Sequence, residues 1–276
     1  MANITAADVK KLRDITGAGM MDCKKALQEA DGDFDKAIEI LRKKGQKVAN
    51  KRADRETNEG IALGKVSADG KKAYMVAVGC ETDFVARTDD FENAVVRILD
   101  VAVEKDVKDI EELKQLTTSS GLTVEQEITE LSGKTGEKVV LLFFGRVEGE
   151  YANVYNHFNK NNAAIASFNK VIPEQVAKDI LMQIASMKPI AIDVDDVPEE
   201  VKQKELEIGK EQAVNEGKPA EIAEKIAQGR LNKFLQEATL MNQAFIKDSK
   251  KKVKDYLKEA DPEAKVLDFK RYSVHD

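Results

Sequence analysis

Three short stretches near the N-terminus place apolar residues at the spacing of an α-helix, and only a few residues separate one stretch from the next. The first follows Thr5, which forms a capping-box pattern with Asp8, and Gly17–Gly19 ends it. Asp33 is placed to cap the third helix, and Gly45 is predicted to end that helix. The predicted inward residues are Val9, Leu12, Ile15, Cys23, Ala26, Leu27, Ala30, Phe34, Ala37, Ile38 and Leu41. Helices joined so closely must pack together, so residues 1–48 are predicted to form a three-helix domain that is only marginally stable alone.

The hydrophobic period changes from helical to alternating beyond a polar segment, 49–59, which we predict to be a helical or mobile linker. Two alternating runs joined by a turn then precede a helical run, and this order occurs twice. The first set is 61–66, 72–79 and 90–104, and the second is 151–158, 163–169 and 173–187. The pattern predicts an α+β fold with two repeated β-hairpin and helix subdomains, 60–136 and 137–276. An apolar run at 138–147 is predicted to be a strand of the second sheet.

Residues 198–237 are dominated by charged side chains, and their apolar positions are sparse. Gly217 and Pro219 lie between two helical runs, an order typical of a helix end followed by a helix start. The predicted apolar stripe consists of Val201, Leu206, Ile208, Ala213, Ile222, Ile226, Leu231 and Leu235. We therefore predict an antiparallel coiled-coil hairpin inserted in the second subdomain. A short helix at 253–260 and a strand at 265–274 are predicted to follow it.

Composition and motif searches narrow the classes of function. The chain has 44 Lys and Arg residues against 50 Asp and Glu, a net charge of −6, which argues against general nucleic-acid binding. No apolar run reaches the roughly 18–20 residues of a membrane span, and the N-terminal residues contain no signal-peptide core, so we expect a cytoplasmic protein without a membrane partner. Cys23 and Cys80 lie too far apart for a disulfide framework or a zinc site. Because phosphate-loop, nucleophile-elbow and HExxH strings are all lacking, we expect no enzyme, no cofactor and no metal site.

Three segments carry patterns more specific than a hydrophobic period. They are VKKLRDITGAGMMDCKKALQEADGDFDKAIEILRKKG at 9–45, CETDFVA at 80–86, and GKPAEIAEKIAQGRLNKF at 217–234 with QAFI at 243–246. With the hairpin repeat they cover nearly the whole chain, while 107–131 departs from the pattern. In these segments the sequence resembles the bacterial translation elongation factor Ts family. The resemblance implies a guanine-nucleotide exchange factor that binds the GTPase elongation factor Tu, both with GDP and without nucleotide.

The CETDFVA segment contains the residues to which the resemblance gives the most specific role. It implies that Thr82, Asp83, Phe84 and Val85 form a wedge inserted beside the Mg²⁺ ion of elongation factor Tu, so that the ion is displaced and GDP is released. Phe84 is then an aromatic interface anchor, and Asp83 brings an acceptor near the metal. The residues alone also fit a strand-to-helix corner, in which Thr82 or Asp83 caps the next helix and Phe84 packs into the core.

The resemblance also implies that the N-terminal bundle docks on the partner. Met20, Met21 and Lys24 lie at the Gly17–Gly19 loop, where bundles of the ubiquitin-associated type present binding residues, and methionine suits an adaptable interface. The other interpretation is that one of the two methionines belongs to the core and that Lys24 is solvated.

Gly136 and His157 are further candidate partner contacts. The alternatives are an ordinary turn glycine before a strand and a hydrogen-bonded histidine on a strand. The coiled-coil hairpin is expected either to be a solvated arm or to serve partner contact or a homodimer. Two rival functions remain open at this point. A helical-module adaptor without exchange activity predicts that Asp83 and Phe84 are dispensable, and a carboxylate-based hydrolase predicts a buried, pKa-shifted acidic pair.

Overall fold

A computed structural model describes residues 4–276 and shows an α+β protein in which helices and antiparallel strands share one chain. The helices are α1 (Ala6–Thr16), α2 (Met20–Glu29), α3 (Phe34–Lys51), α4 (Asp83–Ala86), α5 (Asp89–Glu104), α6 (Ile110–Gln115), α7 (Val124–Thr135), α8 (Glu174–Met187), α9 (Glu199–Asn215), α10 (Ala220–Ala238) and α11 (Val253–Ala260). The strands are β1 (Glu59–Val66), β2 (Lys72–Cys80), β3 (Val140–Glu148), β4 (Tyr151–Asn156), β5 (Asn162–Phe168), β6 (Ala244–Phe245), β7 (Asp248–Lys252) and β8 (Val266–Ser273). No helix within the described residues combines the length and apolar character that a membrane span requires.

The first three helices enclose a small core of their own. Thr5 and Asp8 form the predicted capping box at the start of α1, and the Asp33 side chain accepts a hydrogen bond at the start of α3. The prediction that Ile15 points inward is wrong, because its side chain is exposed. The buried stripe of α1 instead runs from Leu12 to Thr16, one full turn further, and the Thr16 hydroxyl donates a hydrogen bond of 2.7 Å to the Leu12 carbonyl.

Helix α3 continues through Gly45 to Lys51, so the prediction that Gly45 ends the helix is wrong. Gly45 is buried where α3 crosses α7, and a Cβ added to Gly133 of α7 would lie 2.6 Å from the Gly45 Cα. Glycine inside a helix costs about 1 kcal/mol relative to alanine. Here the missing side chains let two helix backbones touch, so packing explains a glycine that the sequence pattern assigned to a helix end.

Two three-stranded antiparallel sheets pack face to face. Their strand orders are β1-β2-β3 and β4-β5-β8. The prediction that the run at 138–147 belongs to the second sheet is wrong, since β3 pairs with β2 through partners such as Ala73 and Val147. An alternating pattern identifies a strand but not its neighbour, and the chain passes from the first of these two sheets to the second after β3, at the short connection to β4.

Each sheet has a helix on its outer face. Helix α5 covers the first sheet and α8 covers the second, while Met75 of β2 and Ile165 of β5 lie in the layer between the sheets. Strand β2 is therefore buried on both faces. This arrangement fixes the corner at which β2 ends and the chain turns into α4 and α5.

The arm is formed by α9 and α10, which pack against each other along their length. The turn that joins them contains Gly217, whose φ is 78°. The prediction that Ile208 and Ile222 point inward is wrong, since both side chains are exposed. Small residues lie between the helices instead: a Cβ added to Gly209 would lie 3.1 Å from the Ala227 Cα. Close approach at Gly209 and Ala227 leaves Ile208 and Ile222 outside the contact, whereas Leu231 and Leu235 are buried as predicted.

Candidate partner-binding site

The segment 82–85 forms the corner between the end of β2 at Cys80 and the start of α5 at Asp89. Residues Asp83–Ala86 make the single turn α4. Thr88 caps α5, since its hydroxyl accepts a hydrogen bond of 3.3 Å from the Phe91 backbone N–H. The corner is thus held between a buried strand and a capped helix.

The side chains of the corner point in different directions. Phe84 is 83% exposed, so the interpretation that packs Phe84 into the core is wrong. Val85 is buried in the core beneath α5 and fixes the corner to it. Asp83 forms an ion pair of 3.1 Å with Arg87, one helical turn away. Because Val85 is buried, the backbone of the corner is anchored, and the Phe84 ring projects from it into solvent.

Glu137, in the turn between α7 and β3, binds the backbone of the corner. One carboxylate oxygen of Glu137 accepts hydrogen bonds from the Glu81 and Thr82 backbone N–H groups at 3.1 and 3.0 Å. The other accepts from the Thr82 hydroxyl at 2.6 Å. Thr82 lies at the N-cap position of α4 but makes no side-chain cap, because its hydroxyl is directed to Glu137 instead.

The Glu81 side chain binds in the other direction, from the corner to the turn that follows α7. Its carboxylate accepts a hydrogen bond of 2.6 Å from the Lys138 backbone N–H, and Arg52 donates to both of its oxygens at 2.8 Å. Burial alone raises the pKa of Glu81, but the Lys138 N–H and the Arg52 guanidinium outweigh burial and lower that pKa below its ordinary value. Glu81 is therefore held as a carboxylate, and it joins the residue following α3 to the corner.

The Cys80 thiol lies beneath the corner and donates a hydrogen bond of 3.2 Å to the Thr82 carbonyl. Burial, assisted by the nearby Glu137 carboxylate, raises the pKa of the Cys80 thiol to about 12. Cys80 therefore stays protonated and can keep donating to the corner. It has the properties of a packing residue and not those of a nucleophile.

Met20, Met21 and Lys24 lie in the first turns of α2. The two methionines are 54% and 63% exposed, so the interpretation that one of them belongs to the core is wrong. Lys24 is exposed beside them. Gly17, in the left-handed region with φ of 65°, ends α1 and makes the turn that leads into this surface.

Gly136 and His157 lie on two different connections. Gly136 ends α7 in the left-handed region with φ of 73°, and an added Cβ would meet no described atom within 4 Å. His157 follows β4, and its Nδ1 lies 2.8 Å from the Tyr155 hydroxyl oxygen. The His157 ring packs 4.6 Å from that of Phe158, which is 87% exposed. His157 is thus a hydrogen-bonded residue beside a second exposed aromatic side chain.

Each buried carboxylate of the described residues has its own cationic partner. Arg97 donates a hydrogen bond of 2.7 Å to Glu127, and Lys247 donates one of 2.6 Å to Asp179. Tyr256 also donates to Asp179, at 2.8 Å. Among residues 4–276, no three His, Cys, Asp or Glu side chains are grouped to hold a metal ion. The hydrolase interpretation requires two carboxylates buried against each other. Glu127 and Asp179 are instead each paired with a basic side chain.

Sequence reasoning missed several residues of the corner. Glu81 lies within the CETDFVA segment but has no role in the wedge interpretation. Arg52, Glu137 and Lys138 have no local pattern that connects them with residue 82, because their contacts join segments far apart in sequence. In this turn, the sequence marked only the neighbouring Gly136, as a candidate partner contact.

Comparisons with known proteins agree on one family. A family model described as elongation factor TS matches residues 81–276. Elongation factor Ts of Amoebophilus asiaticus is 49% identical over 274 residues, covering 98% of this chain and 99% of that protein. Those of Cytophaga hutchinsonii and Christiangramia forsetii are 48% and 45% identical, covering 93% and 99% of this chain and 94% and 100% of those proteins.

These matches identify a translation elongation factor that acts in protein biosynthesis. The chain belongs to the elongation factor Ts family.

Proposed function

We propose that the protein is a guanine-nucleotide exchange factor for elongation factor Tu and that it acts during polypeptide elongation in the cytoplasm. It binds the GDP-loaded and the nucleotide-free partner and performs no covalent chemistry. The observation that carries the proposal is Phe84, an exposed aromatic side chain on an anchored corner of a chain that belongs to this family. Exposed aromatic side chains of this kind supply much of the binding energy of protein interfaces.

Release of GDP requires that the factor bind the nucleotide-free partner more tightly than the GDP-bound one, because only differential affinity shifts an equilibrium. In the proposed mechanism Phe84 enters the partner beside its Mg²⁺ ion and displaces the elements that position the ion. Asp83 leaves its ion pair with Arg87, and its carboxylate moves close to that ion. Losing Mg²⁺ removes the charge that neutralises the GDP phosphates, so GDP dissociates faster.

The four residues of the proposed wedge have two different roles, contact with the partner and support of the corner. Phe84 and Asp83 are on the surface and make the contacts with the partner, whereas Val85 and Thr82 hold the corner in place. This division makes the wedge a rigid element, which loses little conformational entropy on binding.

The remaining candidates are proposed as secondary contacts. The ubiquitin-associated-like bundle docks through Met20, Met21 and Lys24, which are exposed on one helix. Gly136 and His157 are further contacts with the partner, on two different connections, and the two hairpin-and-helix units are a structural repeat that carries these residues. Self-association through the arm of α9 and α10 stays a prediction. Sedimentation velocity of the free protein tests it by measuring whether the protein is a monomer or a dimer.

The experiment that tests the function is release of a fluorescent GDP analogue from elongation factor Tu. With excess unlabelled GDP, adding the protein accelerates loss of fluorescence in proportion to its concentration until the partner is saturated. An adaptor without exchange activity binds the same partner, as seen by calorimetry, but leaves the release rate unchanged. Binding without acceleration would therefore favour the adaptor and contradict the proposal.

A further inference from the structure

Glu137 is the side chain that most directly fixes the corner from which Phe84 projects. It follows Gly136, the left-handed end of α7, and its own backbone N–H donates a hydrogen bond of 3.2 Å to the Thr135 hydroxyl. Its two oxygens accept three hydrogen bonds from residues 81 and 82. Three bonds to one carboxylate define the position and the direction of the chain immediately before Phe84.

The corner and the turn at 137–138 hold each other reciprocally. Glu137 accepts from the Glu81 backbone, and Glu81 accepts from the Lys138 backbone. The Lys138 ammonium also donates to the Ala53 and Arg55 carbonyls at 2.7 and 2.8 Å. This closed set of contacts joins three segments that are distant in sequence, so the corner cannot move independently of the end of α7 and the segment after α3.

Hydrogen bonds to a charged acceptor are stronger than those between neutral groups. Without the Glu137 carboxylate, the Glu81 and Thr82 N–H groups turn to water, and the single turn α4 keeps the packing of Val85 and Ala86 and the Cys80–Thr82 hydrogen bond to fix its orientation. Phe84 remains exposed in that case, but its direction relative to the sheet is less narrowly defined. A partner pocket then receives the ring only from the fraction of conformations that point correctly.

We propose that Glu137 is a positioning residue for nucleotide release, which acts by directing Phe84 and not by contacting the nucleotide or its metal. This role rests on the proposed exchange function and assigns to it a residue outside the 82–85 segment. Because Glu137 acts through Phe84, it affects the release step and leaves docking of the N-terminal bundle unchanged.

The test compares Glu137→Ala in the wild-type and Phe84→Ala backgrounds of the full chain. In the wild-type background, saturated GDP release slows by about tenfold, the scale of one charge-assisted hydrogen bond. In the Phe84→Ala background the same substitution has no further effect, because the side chain it directs is already absent. Glu125→Ala, an exposed glutamate on α7, is the matched control and leaves the release rate unchanged.

Glu137→Gln separates hydrogen-bond geometry from charge. Its carbonyl oxygen can accept from both backbone N–H groups while its amide donates to the Thr82 hydroxyl, which also accepts. Glu137→Gln therefore keeps a release rate within a few-fold of wild type, as expected of a positioning role. A Glu137→Gln rate as slow as that of Glu137→Ala, with the same slowing in the Phe84→Ala background, would show that the carboxylate acts through its charge and not by directing Phe84, and would overturn the proposal.

A second variant keeps the test valid if Glu137→Ala does not fold. Thr82→Val removes only the hydroxyl donor, and it slows release in the wild-type but not in the Phe84→Ala background. An equal slowing in both backgrounds, for either variant, contradicts the positioning role while the exchange function stands. If the wild-type protein does not accelerate release at all, the exchange function itself fails.

Discussion

The Gly45 and Gly133 backbones are in direct contact where α3 crosses α7, and a Cβ on Gly133 would lie 2.6 Å from the Gly45 Cα. The contact joins the N-terminal helices to the rest of the protein without any intervening side chain. Removing residues 1–50 would therefore uncover the surface of α7, and single substitutions are the cleaner probes of the bundle.

Replacing Gly133 by alanine is expected to destabilise the protein by about 1–3 kcal/mol, because the new methyl group forces the two backbones apart. Gly229 of α10 is the matched control, since an added Cβ there meets no described atom within 4 Å. Gly229→Ala is expected to stabilise by up to about 1 kcal/mol through helix propensity. Denaturant unfolding of both variants measures the two effects, and a Gly133→Ala variant at least as stable as wild type would contradict the packing assignment.

The Asp179 carboxylate is expected to make stability depend on acid pH. Burial alone raises its pKa, but hydrogen bonds from Lys247, Tyr256 and Gln175 outweigh burial and lower it below the ordinary value. A pKa lower in the folded than in the unfolded state stabilises above the unfolded value of about 3.9, and this contribution is lost as pH falls toward the folded pKa.

Asp179→Asn is therefore expected to lower the free energy of unfolding by about 2 kcal/mol near neutral pH. The difference from wild type shrinks as pH falls below about 4. Chemical denaturation between pH 3 and pH 7 measures it, with the exposed Asp54→Asn as control. A difference that stays constant over this interval would mean that the ion pair with Lys247 contributes nothing to stability.

Docking through the N-terminal bundle is tested by replacing Met20 and Met21 together with serine. Both side chains are exposed, so the melting temperature of the free protein is expected to stay unchanged. Affinity for elongation factor Tu is expected to fall by about tenfold, because two apolar contacts are lost. Calorimetric titration measures it, and Met187→Ser, at an exposed methionine of α8, is the control. Unchanged affinity in the double variant would exclude this surface from the interface.

Competition between the protein and Mg²⁺ tests the proposed mechanism of release. If insertion of the corner unseats the ion, linkage requires that Mg²⁺ weaken binding of the protein to the GDP-loaded partner. This dependence is expected to flatten in Asp83→Ala and Phe84→Ala, where the displacing contact is missing.

Lys24→Ala is the control for the Mg²⁺ series, because its side chain belongs to α2 of the bundle and not to the segment 82–85. It is expected to lose affinity while keeping the dependence on Mg²⁺. Titrations at several Mg²⁺ concentrations compare the four proteins. Parallel dependence in all four would mean that GDP leaves by a route other than metal displacement.

Local signals in the sequence predicted much of the fold. The capping box at Thr5, the cap at Asp33 and the helix Val253–Ala260 are confirmed, because each depends on residues within one or two turns. Helices α6 and α7 were missed, although Thr123 and Gln126 carry the capping-box pattern at the start of α7. The partner of β3 and the crossing at Gly45 depend on contacts distant in sequence, which no local period reports.

The same distinction applies to the site. The exposed Phe84 lies in a recognisable segment, and its surroundings could be anticipated only in part. Glu137 is separated from Thr82 by more than fifty residues, and the hydrogen bonds that join them follow from the packing of α7 beside the end of β2. A motif can therefore identify the residue that projects, while the side chain that directs it becomes visible only in the fold.

The central claim is that Phe84 drives GDP release from elongation factor Tu, and the rate of that release measures it most directly. Saturated release of a fluorescent GDP analogue is compared for wild type, Phe84→Ala and Val171→Ala, the last being an exposed apolar control. Loss of the aromatic anchor, about 2 kcal/mol, predicts more than tenfold slower release for Phe84→Ala, with wild-type rates for Val171→Ala. Equal rates for Phe84→Ala and wild type, with both proteins folded, would contradict the claim.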